Sequence, residues 1–249
     1  MLYLMEKMNW MQIEEYLKKD NRIVLPIGSM EQHGYNTVAT DTQVAWEISR
    51  AVCEKTGVLL APAMTYSFAG WATAWPGTIC IKSSTLLALL TDIFESLVDQ
   101  GFKRILVVNG HGQNEFAGKL ALEELAWRKP ETNIKFRSWW MMPKTQQIIK
   151  ENGTVWGHAS WFESFSWINQ LGKMPTETKN RYIDEDYFTF GPQSARKLVV
   201  DGMGGGDYIK DEEFMRNFFN FAVNEMTEIL EGSWEKQVYP EPPEKRAQK

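Results

Sequence analysis

The chain contains only three histidines, and each of them lies next to a glycine and near a polar or carboxylate residue in the sequence. They are His33, His111 and His158. Imidazole nitrogens combined with carboxylate oxygens are ligands that suit zinc, manganese or iron. Three scattered core histidines are the alternative, but loop histidines near carboxylates favour a metal site.

The first histidine belongs to the segment GSMEQHG (28–34), which is followed by Asp41. Glu31 and His33 are two positions apart, so in an extended segment their side chains point the same way. Asp41 opens the next predicted helix, where it is either the N-cap or a metal ligand. One carboxylate can also bridge two metals, which is an arrangement that accelerates hydrolysis.

The other two histidines lie in separate segments. His111 lies between two glycines in NGHGQN (109–114), where glycine lets the backbone come close to a ligand, although a solvated His in a glycine-rich turn is the alternative. His158 precedes a predicted helix that contains Glu163 between two phenylalanines. An unpaired carboxylate is costly to bury there, so Glu163 is either exposed at a boundary or bound to a cation, and we favour the cation.

Alternating strands and helices must position these segments. Apolar runs predict strands at 22–27, 57–62, 104–108 and 133–138, and helical periodicity appears at 10–17, 41–55, 85–100, 115–128 and 211–230. Ser83 and Ser84 are candidate caps of the helix at 85–100, which stops at Gly101. This order predicts an α/β fold with a mostly parallel sheet that is covered on both faces. Ligands bind such sheets beyond the carboxyl ends of the strands, where His33 and His111 follow predicted strands.

Composition restricts the class of protein. The chain has 249 residues, of which 43% are hydrophobic, so we expect one globular domain at 1–237 and a proline-containing, poorly packed tail at 238–249. A net charge of −5 without a basic stripe argues against nucleic-acid binding.

The apolar runs are too short to span a membrane, and the N-terminus lacks the features of a signal peptide. Cys53 and Cys80 are too few for a disulfide framework, so we expect buried thiols and a cytoplasmic location.

Taken together, these segments resemble the creatininase (creatinine amidohydrolase) family. The resemblance covers most of the chain and rests on five motifs, which are LPIGSMEQHG (25–34) with Thr40-Asp41, NGHGQN (109–114), His158-Ala159 with Glu163-Ser164, WPGT (75–78) and Gly206-Asp207. It implies a three-layer α/β/α fold and a metal-dependent amidohydrolase with two divalent ions. Zinc and manganese are the expected ions, with iron as a further candidate. The resemblance also implies a homo-oligomer, often a hexamer.

The resemblance also implies roles for individual residues. The implied metal ligands are Glu31, His33, Asp41 and His111, with Asp41 as the bridge. His158 corresponds to a histidine that transfers a proton.

One departure from the family pattern bears on the second metal. Creatininase proper has a carboxylate two residues after the second-motif histidine, and this chain has Gln113 there. A neutral amide is a poor ligand for a transition metal, so Glu163 is predicted to replace that carboxylate. A histidine expected upstream of Pro-Gly-Thr is also missing, with Trp71-Ala72 in its place. We therefore predict that the metal centre is kept, that the pocket is changed, and that creatinine is not the substrate.

The predicted pocket contains aromatic residues. Trp71, Trp75 and Trp161, together with Gln113, are candidate substrate-binding residues, although the same tryptophans fit a core or an oligomer interface equally well.

The predicted reaction is hydrolysis of a small molecule. A metal-activated water attacks the carbonyl of a cyclic amide or formamide C–N bond, and His158 gives a proton to the leaving group. The first alternative is hydrolytic C–C ring opening of a cyclic polyol diketone, as in inositol or sugar catabolism. The second alternative is a non-catalytic metal-binding member of the family, for which Gln113 is the main support.

Overall fold

A parallel β-sheet forms the centre of the fold in this computed structural model, which describes residues 4–152, 157–168, 174–180 and 189–235. Within these residues the sheet has four strands, in the order β2-β1-β3-β4. The strands are β1 (Arg22–Ile27), β2 (Leu59–Leu60), β3 (Arg104–Asn109) and β4 (Asn133–Ser138). Ile27 pairs with Asn109 and Asn109 pairs with Ser138, so β1, β3 and β4 end at the same level and their following loops lie side by side.

Helices cover both faces of this sheet. The described helices are α1 (Trp10–Leu17), α2 (Thr40–Thr56), α3 (Ser83–Asp99), α4 (Asn114–Arg128), α5 (Pro143–Asn152), α6 (Pro192–Val199) and α7 (Glu212–Glu231). Short 3-10 turns occur at Met5–Lys7, Gly70–Ala72, Trp139–Met141 and Trp161–Glu163.

Alternate strand residues enter two separate cores. Val24 and Leu106 pack with residues of α2, α5 and α7 on one face, whereas Ile23 and Ile105 pack with residues of α3 and α4 on the other. Successive side chains of a strand point to opposite faces, and a parallel sheet buried on both faces is therefore apolar along its whole length. The predicted three-layer α/β/α architecture is confirmed.

Several local predictions are wrong. Strand β2 is only Leu59–Leu60 rather than 57–62, because Gly57 has a φ of +70° and ends α2 as its C-cap. Ser83 and Ser84 do not cap α3, because the helix begins at Ser83 and Lys82 is at the N-cap position without a side-chain cap. The helix predicted around Glu163 is a single 3-10 turn.

The remaining expectations have mixed outcomes. The tail at 238–249 lies outside the described residues. Cys53 is a buried free thiol, but Cys80 is a free thiol that is only partly buried. No described helix is long and apolar enough to cross a membrane.

Candidate metal centre

The predicted site residues meet beyond the carboxyl ends of β1 and β3. The segment after β1 supplies Glu31 and His33, the segment after β3 supplies His111, and the first turn of α2 supplies Asp41. Glu163 comes from the 3-10 turn Trp161–Glu163.

Two glycines let α2 approach the strand ends this closely. A Cβ on Gly28 would lie 2.3 Å from the main-chain nitrogen of Thr42, and a Cβ on Gly110 would lie 2.0 Å from the main-chain oxygen of Asp41. Any side chain at either position would push the start of α2 away. The two glycines thereby fix where the carboxylate of Asp41 lies.

Asp41 is the central side chain of the site. Its Oδ1 lies 2.9 Å from Nε2 of His33, and its Oδ2 lies 2.8 Å from Nδ1 of His111. Ser29 donates a hydrogen bond to Oδ2 at 2.7 Å. The alternative role of Asp41 as N-cap is wrong, because Ala39 is at the N-cap position of α2 and the helix has no side-chain cap there.

Two potential metal-binding groups share Asp41 among the described residues. One group contains Glu31, Asp41 and His111, and the other contains His33, Asp41 and Glu163. In each group the ligand atoms lie within 4.8 Å of one another. A third group joins Glu31 and His33 to His158. The structure therefore brings together all five predicted metal ligands.

The donor set fits divalent metal ions. The three carboxylates of Glu31, Asp41 and Glu163 are buried, and a buried cluster of negative charge is costly without cations to balance it. Oε1 of Glu31 is buried and has no hydrogen-bond partner among the described residues, so it is available as a ligand. Imidazole nitrogens and carboxylate oxygens suit zinc and manganese.

Main-chain carbonyls orient two of the histidines. Nδ1 of His33 lies 3.0 Å from the oxygen of Glu31, and Nε2 of His111 lies 2.9 Å from the oxygen of Phe68. A carbonyl only accepts hydrogen bonds, so these outer nitrogens carry the proton when the ring is neutral. The opposite nitrogen of each ring is then free to bind a metal, as is typical of histidine ligands.

The charges of the cluster shift its pKa values. Burial by itself raises the pKa of Asp41, but His33 and His111 outweigh it and hold this pKa well below its usual range. Burial lowers the pKa of His33, but Asp41 and then Glu163 outweigh it and raise this pKa to about 10. For the same reason Glu31 and Asp41 raise the pKa of His111 well above its usual range. The carboxylates thus favour the protonated, positively charged forms of His33 and His111.

The pKa values of Glu163 and His158 are shifted mainly by burial. Burial raises the pKa of Glu163 to about 7. Burial and the nearby charge of His33 lower the pKa of His158 to about 4, so His158 is neutral near pH 7.

His158 lies at the edge of the cluster. Its Nδ1 is 3.9 Å from Oε2 of Glu31, and its ring centroid is 4.2 Å from that of His33. The indole of Trp71 packs edge-on against it, with the ring centroids 5.1 Å apart. This position is close enough to the ligands for proton transfer to a group bound beside them.

A small cavity of about 150 Å³ opens onto these residues. Its aromatic wall consists of Trp71, Trp140 and Phe162. Gln113 also lines it, and its buried Oε1 has no hydrogen-bond partner in the part of the chain that the structure describes. Such a cavity suits a small flat group with polar atoms facing the carboxylates.

Two predicted pocket residues lie elsewhere. Trp75 packs against Trp71, with the ring centroids 5.5 Å apart, and does not line the cavity. Trp161 is fully buried in the core against Phe214 and Phe218. The prediction that it lines the pocket is therefore wrong, and the alternative, that it is a core aromatic, is correct.

Sequence reasoning missed four residues that line or support the site. They are Ser29, Gln32, Trp140 and Phe162. Trp140 follows β4 by only two residues, so the rule that ligands bind beyond strand ends could have found it. The contacts of Ser29 and Gln32 depend on tertiary packing and have no comparable signal in the sequence.

Comparisons with known proteins show a family match over most of the chain. A family model described as creatinine amidohydrolase, the creatininase family, matches residues 6–230. The 3-dehydro-scyllo-inosose hydrolase of Thermotoga maritima is 29% identical over 170 residues, which are 65% of this chain and 54% of that protein. The creatinine amidohydrolase of Pseudomonas putida is 26% identical over 157 residues, or 58% of this chain and 60% of that protein. The chain thus spans little more than half the length of these two relatives.

A third relative matches over more of its length. The 2-amino-5-formylamino-6-ribosylaminopyrimidin-4(3H)-one 5'-monophosphate deformylase of Methanocaldococcus infernus is 28% identical over 224 residues, which are 83% of this chain and 91% of that protein. Among solved structures, a manganese form of creatininase has a TM-score of 0.78 at 20% identity, over 92% of this chain and 98% of that one. A zinc-zinc form of a creatininase variant has a TM-score of 0.76 at 21% identity, over 91% of this chain and 96% of that one. These structures establish the fold.

Proposed function

The chain belongs to the creatininase family of hydrolases, and from that premise we propose that it is a metal-dependent enzyme that cleaves the C–N bond of a formamide or cyclic amide. One observation carries the proposal. Asp41 is shared by two groups of buried ligands, and its two carboxylate oxygens contact different histidines. A shared carboxylate is what a pair of metal ions requires.

Two divalent ions complete the proposed site, zinc or manganese in first place and iron as a further candidate. Glu31, Asp41 and His111 would hold one ion, and His33, Asp41 and Glu163 would hold the other. When bound, such ions lower the pKa of water and polarise a carbonyl oxygen.

The side chains around the ligands supply the remaining parts of the reaction. His158 is neutral near pH 7, so its Nδ1 can accept a proton and give it to the leaving nitrogen. Trp71, Trp140 and Phe162 exclude water and hold a flat substrate group against the carboxylates. Gln113 offers a buried amide oxygen that accepts a hydrogen bond from the substrate.

Cavity size and one relative support a formamide or small cyclic amide. The cavity of about 150 Å³ holds only a small group, so a larger substrate would leave most of its atoms outside. One relative, which matches 83% of this chain, is named as a deformylase. Because Gln113 replaces a carboxylate of creatininase proper, we also propose that creatinine is not the preferred substrate.

A second candidate function is hydrolytic C–C ring opening of a cyclic polyol diketone. The Thermotoga relative, which is named for hydrolysis of 3-dehydro-scyllo-inosose, favours it. The same ligands would serve this reaction, since the attacked atom is again a carbonyl carbon. A non-catalytic role has less support, because an assembled set of ligands beside a neutral histidine usually serves chemistry.

The test is a substrate screen with the purified protein loaded with zinc or manganese. Formamides and cyclic amides, with creatinine among them, are compared with cyclic polyol diketones. We expect turnover of an amide that falls by about 10²- to 10⁴-fold in His158→Ala. Turnover of the diketones alone would overturn the amide proposal, and turnover of neither class after metal loading would favour the non-catalytic role.

We also propose a cytoplasmic homo-oligomer, with the hexamer implied by family resemblance as the first expectation. Among the described residues Phe116 and Trp127 are exposed large apolar side chains on α4, which is compatible with an interface. Size-exclusion chromatography with light scattering tests this expectation, and a monomer at micromolar concentration would contradict it.

A further inference from the structure

We propose that Gln32 is a positioning residue that holds the imidazole of His158 by its outer nitrogen, Nε2, and so keeps Nδ1 directed at the metal site. The inference rests on the proposed function, in which His158 transfers a proton at Nδ1. It assigns to Gln32 a role that its two neighbours Glu31 and His33, as metal ligands, do not have.

Both the main chain and the side chain of Gln32 contact the same ring nitrogen. Nε2 of His158 lies 2.7 Å from the main-chain oxygen of Gln32 and 3.0 Å from its side-chain nitrogen. The other ring nitrogen, Nδ1, faces Oε2 of Glu31 at 3.9 Å. Nε2 uses these two contacts one at a time, since it donates to the main-chain oxygen when protonated and accepts from the amide when bare, while the inner edge of the ring faces the ligands.

The orientation of the Gln32 amide is fixed by two further partners. Its Oε1 accepts a hydrogen bond from the main-chain nitrogen of Gly34 at 3.1 Å, and its Nε2 donates to the main-chain oxygen of Gly202 at 3.0 Å. A main-chain N–H can only donate and a carbonyl can only accept, so these partners distinguish the amide oxygen from the nitrogen. The nitrogen is therefore the atom that faces His158.

This arrangement gives Nε2 of His158 a partner in either tautomer. When Nε2 carries the ring proton, the main-chain oxygen of Gln32 accepts it; when Nε2 is bare, the amide N–H of Gln32 donates to it. The imidazole can therefore keep its place whichever nitrogen carries the proton. A histidine that transfers a proton from its other nitrogen benefits from such an anchor, because a small displacement of a catalytic group is costly to the rate.

The Gly202 turn packs closely against the side chain of Gln32. A Cβ on Gly202 would lie 1.8 Å from Oε1 of Gln32, and Gly202 has a φ of +86°, where glycine is favoured. The main-chain nitrogen of Gly204 donates to the main-chain oxygen of His158 at 2.7 Å. The same turn thus holds the side chain of Gln32 and the backbone of His158.

A partly buried ion pair contacts this turn. Lys179 pairs with Asp201 and also donates to the main-chain oxygens of Val199 at 3.1 Å and Met203 at 2.8 Å. The hydroxyl of Tyr208 donates to the second oxygen of Asp201 at 2.7 Å. Lys179 and Tyr208 therefore both hold Asp201, which precedes the glycine whose carbonyl accepts the hydrogen bond of the Gln32 amide.

The experiment compares Gln32→Met with Gln32→Glu in zinc-loaded protein. Met keeps the length of the side chain but removes the amide, whereas Glu keeps an acceptor for Gly34 and removes both donors. Gln100→Met is the matched control, because Gln100 is an exposed amide whose side chain donates to Ser96 at 3.0 Å, on its own helix and away from the site. Metal content and thermal melting are measured first for each variant.

The first readout is the ¹⁵N-labelled histidine NMR spectrum, which contains signals from only three rings. The His158 signals are assigned by their absence in His158→Ala. We expect them to shift or broaden in both Gln32 variants, while zinc content and the Gln100→Met spectrum stay as in the wild type. If Gln32→Met fails to fold, Gln32→Glu still gives the answer. Unchanged His158 signals in a folded Gln32 variant would overturn the proposal.

The second readout separates kcat from KM on whichever amide the wild type hydrolyses. We expect kcat to fall by about 10- to 100-fold in Gln32→Met, with KM changed by less than about threefold, as is typical when a supporting hydrogen bond is lost. A rise in KM alone would contradict a positioning role. The NMR result needs no substrate, so a failure of the proposed function leaves the test of Gln32 intact.

Discussion

The carboxylate of Glu163 lies against the imidazole of His33, with 3.8 Å between Oε2 and Nε2. The same Oε2 accepts a hydrogen bond from the main-chain nitrogen of Ala159 at 2.8 Å. Ala159 has a φ of +63°, which is unusual for a residue other than glycine and indicates backbone held in place by its surroundings. This strained turn aims Glu163 at the group formed by His33 and Asp41, which supports Glu163 as the substitute for the carboxylate missing at Gln113.

Glu163→Gln is expected to remove one metal ion from each chain. The amide is similar in size to the carboxylate but is a poor ligand, so metal content should fall from about two equivalents to about one. The measurement is metal analysis of protein purified without chelators. Glu123→Gln is the control, because Glu123 is exposed on α4.

A different stoichiometry would change the interpretation of the site. Two equivalents in Glu163→Gln would mean that Glu163 is not a ligand. One equivalent in both the wild type and the variant would mean a single-metal site formed by Glu31, His33, Asp41 and His111.

Metal binding is expected to release protons near neutral pH. The pKa of His33 is raised to about 10 and that of His111 lies well above its usual range, so both rings are protonated in the metal-free protein. A metal must displace these protons and that of Glu163, whose pKa of about 7 leaves it about half protonated at neutral pH. About two to three protons should therefore leave per chain at about pH 7, and metal affinity should rise with pH. Calorimetric titration with zinc in two buffers of different ionisation enthalpy measures the number.

A single substitution tests this expectation. In His33→Asn one of the two histidines with a raised pKa is absent, so the number of protons released on metal binding should fall by about one. Proton release that is zero in the wild type would mean that the histidines are already neutral and that the carboxylates do not raise their pKa values.

Much of the fold could be predicted from sequence because its signals are local. The apolar run at β4 and the helical periodicity of α1 and α4 gave bounds within a residue of those observed. The glycine-flanked histidines also lie at strand ends, where a parallel sheet binds ligands. The positions of His33 and His111 therefore follow from local pattern and topology.

The errors concern residues whose environment is set by tertiary packing. Ser83 has the chemistry of an N-cap, yet the helix starts at it. Trp161 is near His158 in sequence, yet it packs in the core because the 3-10 turn directs it away from the cavity. Asp41 fitted both a cap and a ligand by sequence, but α2 begins at Thr40 with Ala39 at the N-cap position, and the carboxylate contacts His33 and His111 instead. Sequence spacing carries no information about such contacts.

Gly110→Ala is expected to damage the metal site, whereas Gly112→Ala is not. Neither glycine has a left-handed φ, but a Cβ at Gly110 would overlap the main chain of Asp41 and one at Gly112 would meet nothing within 4 Å. Displacement of Asp41 should weaken zinc binding by about 10- to 100-fold and cost on the order of 1 to 3 kcal/mol of stability. Zinc titration and urea unfolding measure the two effects. Equal zinc affinity and equal stability of the two variants would mean that close packing at Gly110 does not fix the position of Asp41.

Glu225 on α7 is expected to be a major stabilising contact outside the site. Its buried carboxylate accepts hydrogen bonds from the main-chain nitrogens of Lys144 and Thr145, both at 2.8 Å, and from the hydroxyl of Thr145 at 2.7 Å. These donors lie in the first turn of α5, so Glu225 ties the start of that helix to α7. Glu225→Ala removes the partner of all three donors, two of which belong to the buried Thr145, and should reduce the free energy of unfolding by about 2 to 4 kcal/mol.

A neighbouring glutamate on the same helix provides the comparison for Glu225. Glu228 also pairs with Lys144, but both side chains are more than half exposed, so Glu228→Ala should change the free energy of unfolding by less than about 1 kcal/mol. Urea unfolding of both variants, followed by circular dichroism, measures the difference. Glu225→Gln keeps one acceptor oxygen and should lie between wild type and Glu225→Ala. If the two alanine variants were equally stable, the hydrogen bonds of Glu225 would not be what holds α5 against α7.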